Sequence, residues 1–256
     1  LQKAFKVKEV RDRLLYTFMM LVVIRIGCCL PIPGVDPSYL HDFFSNIQSS
    51  GMGFFNAITG GSFSSMSIFA LSITPYITSS IIMQLLTIAI PKLEEMQKDG
   101  EDGRKKIAEY TRYLTVGLAL FESCAMAVGL GGKGLLLEDH RNVWGYLTVV
   151  AAMTAGSALL MWIGERITDN GVGNGISIVL LINIVSGTPQ DMMTLYERFM
   201  AGKSVAVATV ACIIVLAIII AIFVFVIILN DAERRIPVQY SKKMQGRRMI
   251  GGQSTY

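Results

Sequence analysis

The sequence has little charge and few of the side chains on which most enzymes depend. Charged residues make up 16% of the 256 residues, whereas roughly a quarter is usual in a soluble domain. Hydrophobic residues make up 52%, and the mean hydropathy is +0.52. Apolar runs of ~18 to 20 residues are long enough to cross ~30 Å of hydrocarbon as helices. This composition excludes an ordinary soluble domain and predicts an all-α, polytopic helical membrane protein.

The sequence shows no catalytic or metal-binding pattern. Its two histidines, His41 and His140, lie outside the apolar runs, so no run offers a Ser-His pair or an HExxH zinc helix. No apolar run contains Asp, which excludes a paired-aspartate intramembrane protease within this chain. The four cysteines lie inside apolar runs without zinc-site spacing: Cys28, Cys29, Cys124 and Cys212. We therefore predict no enzyme activity, no cofactor and no metal site.

Six apolar segments are candidate membrane spans. They are residues 14–30, 68–90, 113–130, 143–163, 174–188 and 205–229. The fifth is the weakest, because its apolar part is short and follows Gly171, Gly173 and Gly175, as in a helix that is broken or begins below the membrane surface. Arg25 and Glu122 are the full charges well inside these spans. Such residues usually face protein or water, so they serve either structural pairing or function.

Basic residues are distributed unequally between the two sides of the predicted spans. The N-terminus, the connections after the second and fourth spans, and the C-terminal segment hold eighteen Lys and Arg, whereas the alternate connections hold four. Residues 31–66 hold none. By the positive-inside rule, both ends of the chain face the cytoplasm and residues 31–66 lie on the opposite side.

Five separate motifs together point to one protein family. They are RIGCCLPIPGVDP (25–37), SIFALSITPYITSSIIMQLL (67–86), EYTRYLT (109–115), GERITDNGVGNGISI (164–178) and RRIPVQYSKKMQGRRMIGGQSTY (234–256). In order and along the whole chain, they resemble the SecY family, the central subunits of bacterial protein-conducting channels. The resemblance implies ten membrane helices in two pseudo-symmetric halves of five. We expect this chain to be a fragment with one half, the first helix of the second half and the loop that follows.

The second motif combines an apolar run with Pro75 and several Ser and Thr residues. Proline loosens a helix and polar side chains need partners, so part of this helix is expected to face protein or water. Ile73 and Ile77 stand four residues apart and share a face, for which ordinary packing is a sufficient explanation. The SecY resemblance implies instead that both belong to the ring of aliphatic residues that closes the family's pore. It assigns Leu180 and Ile184, in the fifth span, to the same ring.

An uncharged segment before the second span mixes apolar residues with Gly and Ser. Taken alone, it has the composition of any re-entrant or surface loop. The resemblance implies that it is the plug, a short helix in the outer funnel that moves aside when a polypeptide passes. The residues assigned to the plug are Phe54, Phe55, Asn56, Ala57, Ile58, Thr59, Gly60, Gly61, Ser62, Phe63, Ser64 and Ser65.

Three pairs of basic residues follow the last span. The positive-inside rule is one sufficient explanation for them. The resemblance implies a cytoplasmic loop that docks the ribosome or the motor ATPase SecA, and basic side chains suit the phosphates of ribosomal RNA. The residues of this docking loop are Arg234, Arg235, Lys242, Lys243, Arg247 and Arg248.

The resemblance implies a passive, gated channel that passes unfolded polypeptides across the bacterial plasma membrane and releases apolar segments into it. The expected partners are the subunits SecE and SecG, SecA, the ribosome, a translocating preprotein and membrane lipid, with no DNA. A secondary transporter or small-solute channel is the alternative, because a broken fifth helix with Arg25 and Glu122 also fits substrate binding near the midplane. A catalytically silent scaffold is a third possibility.

Overall fold

The computed structural model describes residues 7–36, 56–131, 134, 136–137, 141–199, 205–233, 243–245 and 248–250. The described part is mainly helical, which confirms the predicted all-α class. Its helices are α1 (Lys8–Cys29), α2 (Thr74–Ala89), α3 (Pro91–Lys98), α4 (Glu101–Leu130), α5 (Val143–Asn170), α6 (Gly175–Phe199) and α7 (Val205–Asn230). Two short strands are β1 (Lys243–Gln245) and β2 (Arg248–Ile250).

The second helix begins later than the span predicted from the sequence. Residues 67–73 form turns and an isolated bridge, and Pro75 lies in the first turn of α2. Proline is tolerated there because first-turn N–H groups have no intrahelical acceptor and the fixed φ of proline suits a helix start. The expectation that Pro75 loosens the middle of a helix is therefore wrong. With 16 residues, α2 is about 24 Å long.

A sharp bend follows α2. The axes of α2 and α3 differ by 102°, and Pro91 lies in the first turn of α3. The backbone of α3 then lies against the start of α4, where a side chain at Gly103 would overlap the carbonyl group of Met96. The helix α3 therefore packs directly against the beginning of α4.

Polar side chains join α2, α4 and α5 within an otherwise apolar interface. The hydroxyl groups of Ser79 and Thr115 form a buried hydrogen bond between α2 and α4. Farther along α4, the Ser123 and Thr154 hydroxyl oxygens lie 3.0 Å apart across the contact with α5. These pairs satisfy polar groups where no water is available, which apolar surroundings require.

Two apolar clusters form the core of the first part of the chain. The first cluster consists of Ile32, Val35, Phe63, Met66, Ala70, Leu71, Ala119, Ala127, Leu136, Val149 and Met153. The second cluster consists of Ile24, Cys28, Phe69, Ile73, Leu160, Ile163, Ile167 and Val179. Both clusters include side chains from the turns before α2, so this segment is part of the core instead of a surface loop.

Three helical stretches in the described part are long and apolar enough to cross a membrane. They are Val143–Asn170, Gly175–Glu197 and Val207–Asn230, and the bent pair of α2 and α3 makes a fourth if it is counted as one broken span. No residue of the most apolar stretch of α7 is buried. The remaining spans stay predictions from the sequence.

The chain divides into two compact units, Leu1–Asp191 and Met192–Tyr256. The second unit contains α7 and an antiparallel hairpin in which Met244 pairs with Met249. The sequence did not predict these strands. Of the docking-loop residues, Lys243 and Arg248 lie in the strands. The others lie outside the described residues: Arg234, Arg235, Lys242 and Arg247.

Candidate functional site

The candidate site is built around the chain that precedes α2. We name residues 56–73 the turn segment, because one helical turn at 56–58 is followed mainly by turns. Although most of the segment consists of turns, many of its side chains are buried, including Thr59, Phe63 and Met66. A segment of turns can be buried only if its backbone N–H and C=O groups find hydrogen-bond partners. The position of the segment therefore depends on these hydrogen bonds.

The turn segment is tied to the chain that leaves α1. The Ile32 amide donates to the Met66 carbonyl at 3.0 Å, and the Ile68 amide donates to the Leu30 carbonyl at 3.0 Å. Beside these bonds, the ring of Phe69 occupies the space that a side chain at Gly27 would fill. These contacts hold one end of the segment against α1.

The segment also lies against α6. Gly60 has a positive φ of +65°, and a Cβ atom there would lie 2.7 Å from the Asn183 carbonyl oxygen. Glycine is therefore required twice, for the left-handed backbone and for the close approach. A side chain at Gly156 of α5 would overlap the backbone of Ile68. The segment therefore packs closely against both α5 and α6.

Polar side chains fix the last part of the turn segment. Asn183 Nδ2 donates to Ser72 Oγ at 3.0 Å, and Ser157 Oγ donates to the Ser72 carbonyl at 3.2 Å. Asn183 Oδ1 accepts from the Cys28 thiol at 4.0 Å. We did not select Ser72, Ser157 or Asn183 from the sequence; the one available signal was an asparagine in the middle of the apolar run of α6.

The structure brings together three of the four residues assigned to the pore ring. Ile73 is fully buried in the second cluster, and Ile77 and Leu180 are partly buried against it. Ile184 lies outside both clusters and is 51% exposed. Ile77 and Leu180 therefore combine core contacts with accessible surface, whereas Ile73 has the environment of a packing residue. The ring itself stays a prediction.

The residues assigned to the plug divide between described and undescribed chain. Phe54 and Phe55 lie outside the described residues, and positions 56–65 form the first part of the turn segment. Only residues 56–58 are helical, so the described part holds one helical turn where the resemblance implies a short helix. The Asn56 side chain accepts from the Ser64 amide at 3.0 Å, which closes this part on itself.

Arg25 of α1 lines a cavity of about 530 Å³. Apolar side chains, among them Phe18, Val22 and Ile182, form most of its lining. The buried Nη1 atom of Arg25 has no hydrogen-bond partner among the described residues. Within the same residues, no group of three or more His, Cys, Asp or Glu is placed to hold a metal ion.

An ion pair joins α4 and α5 near the start of the first helix and the end of the second. Arg112 Nε lies 2.8 Å from Glu165 Oε1, and this bond holds the pKa of Arg112 above its usual value. The pair lines a cavity of about 230 Å³ together with Tyr76, Asp169 and Asn174. This cavity is polar, so water or a polar chain fits it better than lipid.

The comparison with protein families identifies the architecture. A family model described as SecY matches residues 67–256. The chain belongs to the SecY family. The protein translocase subunit SecY of Halalkalibacterium halodurans is 41% identical over 255 residues, covering 98% of this chain and 59% of that protein. The subunit from Escherichia coli (strain K12) is 40% identical over 252 residues, covering 97% of this chain and 56% of that protein. The resemblance seen in the motifs is thereby confirmed.

The SecY family relatives are longer than this chain. The chain spans 55% of the length of the Pseudomonas aeruginosa relative and 60% of that of the Streptomyces scabiei relative. A solved structure described as "The structure of a protein conducting channel" is similar at a TM-score of 0.48 and 18% identity, covering 96% of this chain and 52% of that one. Membership of the SecY family makes this chain a membrane protein.

Proposed function

We propose that this chain is the first part of a SecY channel subunit that passes unfolded polypeptides across the bacterial plasma membrane and releases membrane segments into it. The proposal rests chiefly on the match to the SecY family over most of the chain. The channel itself has no catalytic role in the proposal, and partners supply the energy. Both ends of the chain are placed in the cytoplasm on the basis of the basic residues.

The grouping of aliphatic residues from α2 and α6 supports a closed constriction. Ile77 and Leu180 lie at the border of the second cluster, where they are partly accessible. A narrow aliphatic constriction excludes ions because it offers no polar group to replace their hydration shell. In this proposal Ile77 and Leu180 line the closed pore, Ile184 extends the lining and Ile73 supports it from behind.

The turn segment fits the role of a plug. It is uncharged, contacts both α5 and α6, and consists mainly of turns. A segment held by turns and individual hydrogen bonds can move as a unit without breaking a helix, which a gate requires. The plug, residues 54–65, is proposed to move aside when a polypeptide enters.

The partners of this channel are proposed from the family. They are the small subunits SecE and SecG, the motor ATPase SecA, the ribosome, the preprotein and membrane lipid. The docking loop with its three basic pairs is proposed to contact the ribosome or SecA. Its positive charge suits rRNA phosphates, so we expect binding to weaken as the salt concentration rises.

The decisive experiment compares a channel with a transporter. The full-length protein with its partner subunits is reconstituted in liposomes and presented with a stalled preprotein that carries a photocrosslinker. We expect crosslinks to Ile77 and Leu180, and no solute uptake by the reconstituted protein. Substrate-dependent uptake without preprotein crosslinks would establish the transporter instead.

A deletion tests the plug separately. Removal of residues 54–65 should leave a folded protein with an increased resting ion current across a planar bilayer. A deletion variant that is as ion-tight as the parent would mean that these residues are not a plug, although the channel function would stand.

A further inference from the structure

The turn segment contains two strained residues at the ends of a seven-residue stretch. Met66 and Ser72 have φ angles of 40° and 53°, in the left-handed region that residues other than glycine rarely adopt. Both are almost fully buried. Such a conformation persists only where neighbouring groups hold it. Residues 66–72 therefore depend on outside contacts for their shape.

The two ends of this stretch are held by different kinds of contact. Backbone hydrogen bonds hold the Met66 end, where the carbonyl of Met66 accepts from Ile32 at 3.0 Å. Side chains hold the Ser72 end, through the hydrogen bonds from Asn183 and Ser157. The backbone bond at Met66 does not depend on the identity of a side chain, but the contacts at Ser72 need the side chains of Asn183 and Ser157.

Asn183 of α6 contacts both the turn segment and α1. Its side-chain amide donates to Ser72 and accepts from Cys28 of α1. Its backbone carbonyl oxygen faces Gly60. The residue is only 1% exposed. An unpaired buried amide is unfavourable. Asn183 therefore stabilises the arrangement in which the Ser72 hydroxyl group lies within hydrogen-bond distance of its side chain.

We propose that Asn183 and Ser72 form a polar latch that holds the turn segment in the closed position, and that the latch breaks when the channel opens. Asn183 is a positioning residue, because it acts on the plug through Ser72. Release of Ser72 also frees its left-handed backbone to relax, so the strain assists opening once the hydrogen bond is lost. The inference rests on the proposed channel function.

The variant Asn183→Leu tests the latch, since leucine has the same branching pattern but no hydrogen-bonding group. Amide hydrogen exchange is measured for residues 66–72 of the full-length protein in lipid nanodiscs, and resting current is measured in a bilayer. We expect about tenfold faster exchange, which corresponds to about 1.4 kcal/mol, and a higher resting current. The control Thr154→Val removes the hydrogen bond to Ser123 away from the turn segment and should change neither quantity.

A double-variant comparison separates the latch from a general loss of packing. Ser72→Gly removes the hydroxyl group and tolerates the positive φ, so it stays folded even if Asn183→Leu alone assembles poorly. If the two residues act as a pair, Asn183→Leu should have little further effect on exchange in the Ser72→Gly background. Equal effects of Asn183→Leu in both backgrounds, or no effect in the parent, would overturn the latch.

The same measurements distinguish failure of the latch from failure of the channel proposal. Hydrogen exchange reports the position of the turn segment whether or not the protein conducts. Faster exchange in Asn183→Leu combined with no current in any variant, even with residues 54–65 deleted, would support the latch and refute the channel. Unchanged exchange in Asn183→Leu, together with ion current in the deletion variant, would refute the latch and support the channel.

Discussion

The pore-ring residues differ in burial, and this difference predicts different consequences for the same substitution. Ile73 is 0% exposed in the second cluster, so Ile73→Asn loses the burial of an aliphatic side chain, about 1.5–3 kcal/mol. It also leaves an amide without a partner, which costs about 1–3 kcal/mol. Together these terms predict a loss of about 2.5–6 kcal/mol in the free energy of unfolding.

Ile77 and Leu180 should respond differently because both are only partly buried. An asparagine at either position can reach water, so the stability loss should be about 1–2 kcal/mol. At a constriction, however, the amide groups would attract water where the aliphatic surface excluded it. The variant Ile77→Asn with Leu180→Asn should therefore conduct ions at rest while it stays folded.

Paired measurements on the full-length protein test both expectations, namely chemical unfolding in detergent and single-channel current in a bilayer. The controls are Ile73→Leu and the pair Ile77→Leu with Leu180→Ile, which keep an apolar surface of similar volume and should cost less than about 1.5 kcal/mol each. A folded, ion-tight double Asn variant would remove Ile77 and Leu180 from the ring. An Ile73→Asn variant as stable as the parent would refute the buried position of Ile73.

Three further predictions concern other parts of the chain. The double variant Arg247→Glu with Arg248→Glu should bind ribosomes or SecA more weakly, measured for ribosomes by co-sedimentation, and its binding should depend less on salt concentration. An unchanged salt dependence of binding would remove both residues from the docking surface. Glu165→Gln removes the partly exposed ion pair between α4 and α5 and should lower stability by roughly 0.5–1 kcal/mol at low salt but not at high salt. Gly156→Ala should force the turn segment away from α5 and cost roughly 1–3 kcal/mol, whereas Gly117→Ala, with nothing near its side-chain position, should stabilise α4 by about 0.5–1 kcal/mol. Equal stabilities of the two alanine variants would contradict the close contact at Gly156.

Composition and motif order were sufficient to predict the helical membrane class and the family. Both depend on properties that each residue carries by itself: apolar surface favours hydrocarbon wherever it lies, and long apolar runs form helices because lipid leaves backbone groups no other partners. The charge asymmetry likewise predicts an orientation without any knowledge of contacts. These inferences need only the order of the residues and no tertiary contacts.

The start of α2 and the environment of Ile73 depended on the tertiary structure. Residues 67–73 are as apolar as the helix that follows, so hydropathy predicted one continuous span. The structure instead ends the turns at Ile73, because backbone bonds to Leu30 and Ile32 and the nearby α5 backbone hold residues 66–68 out of a helix. Periodicity shows which residues share a face, but not which neighbour covers that face.

The contact between Ser72 and Asn183 shows the same limit most clearly. The two residues are 111 positions apart, and each by itself resembles the other small polar residues that are scattered through the spans. A hydrogen bond depends on distances of a few tenths of an ångström and on the direction of a side chain. Only the packing of α1, α5 and α6 around the turn segment brings these two side chains together, and that packing is a property of the folded chain.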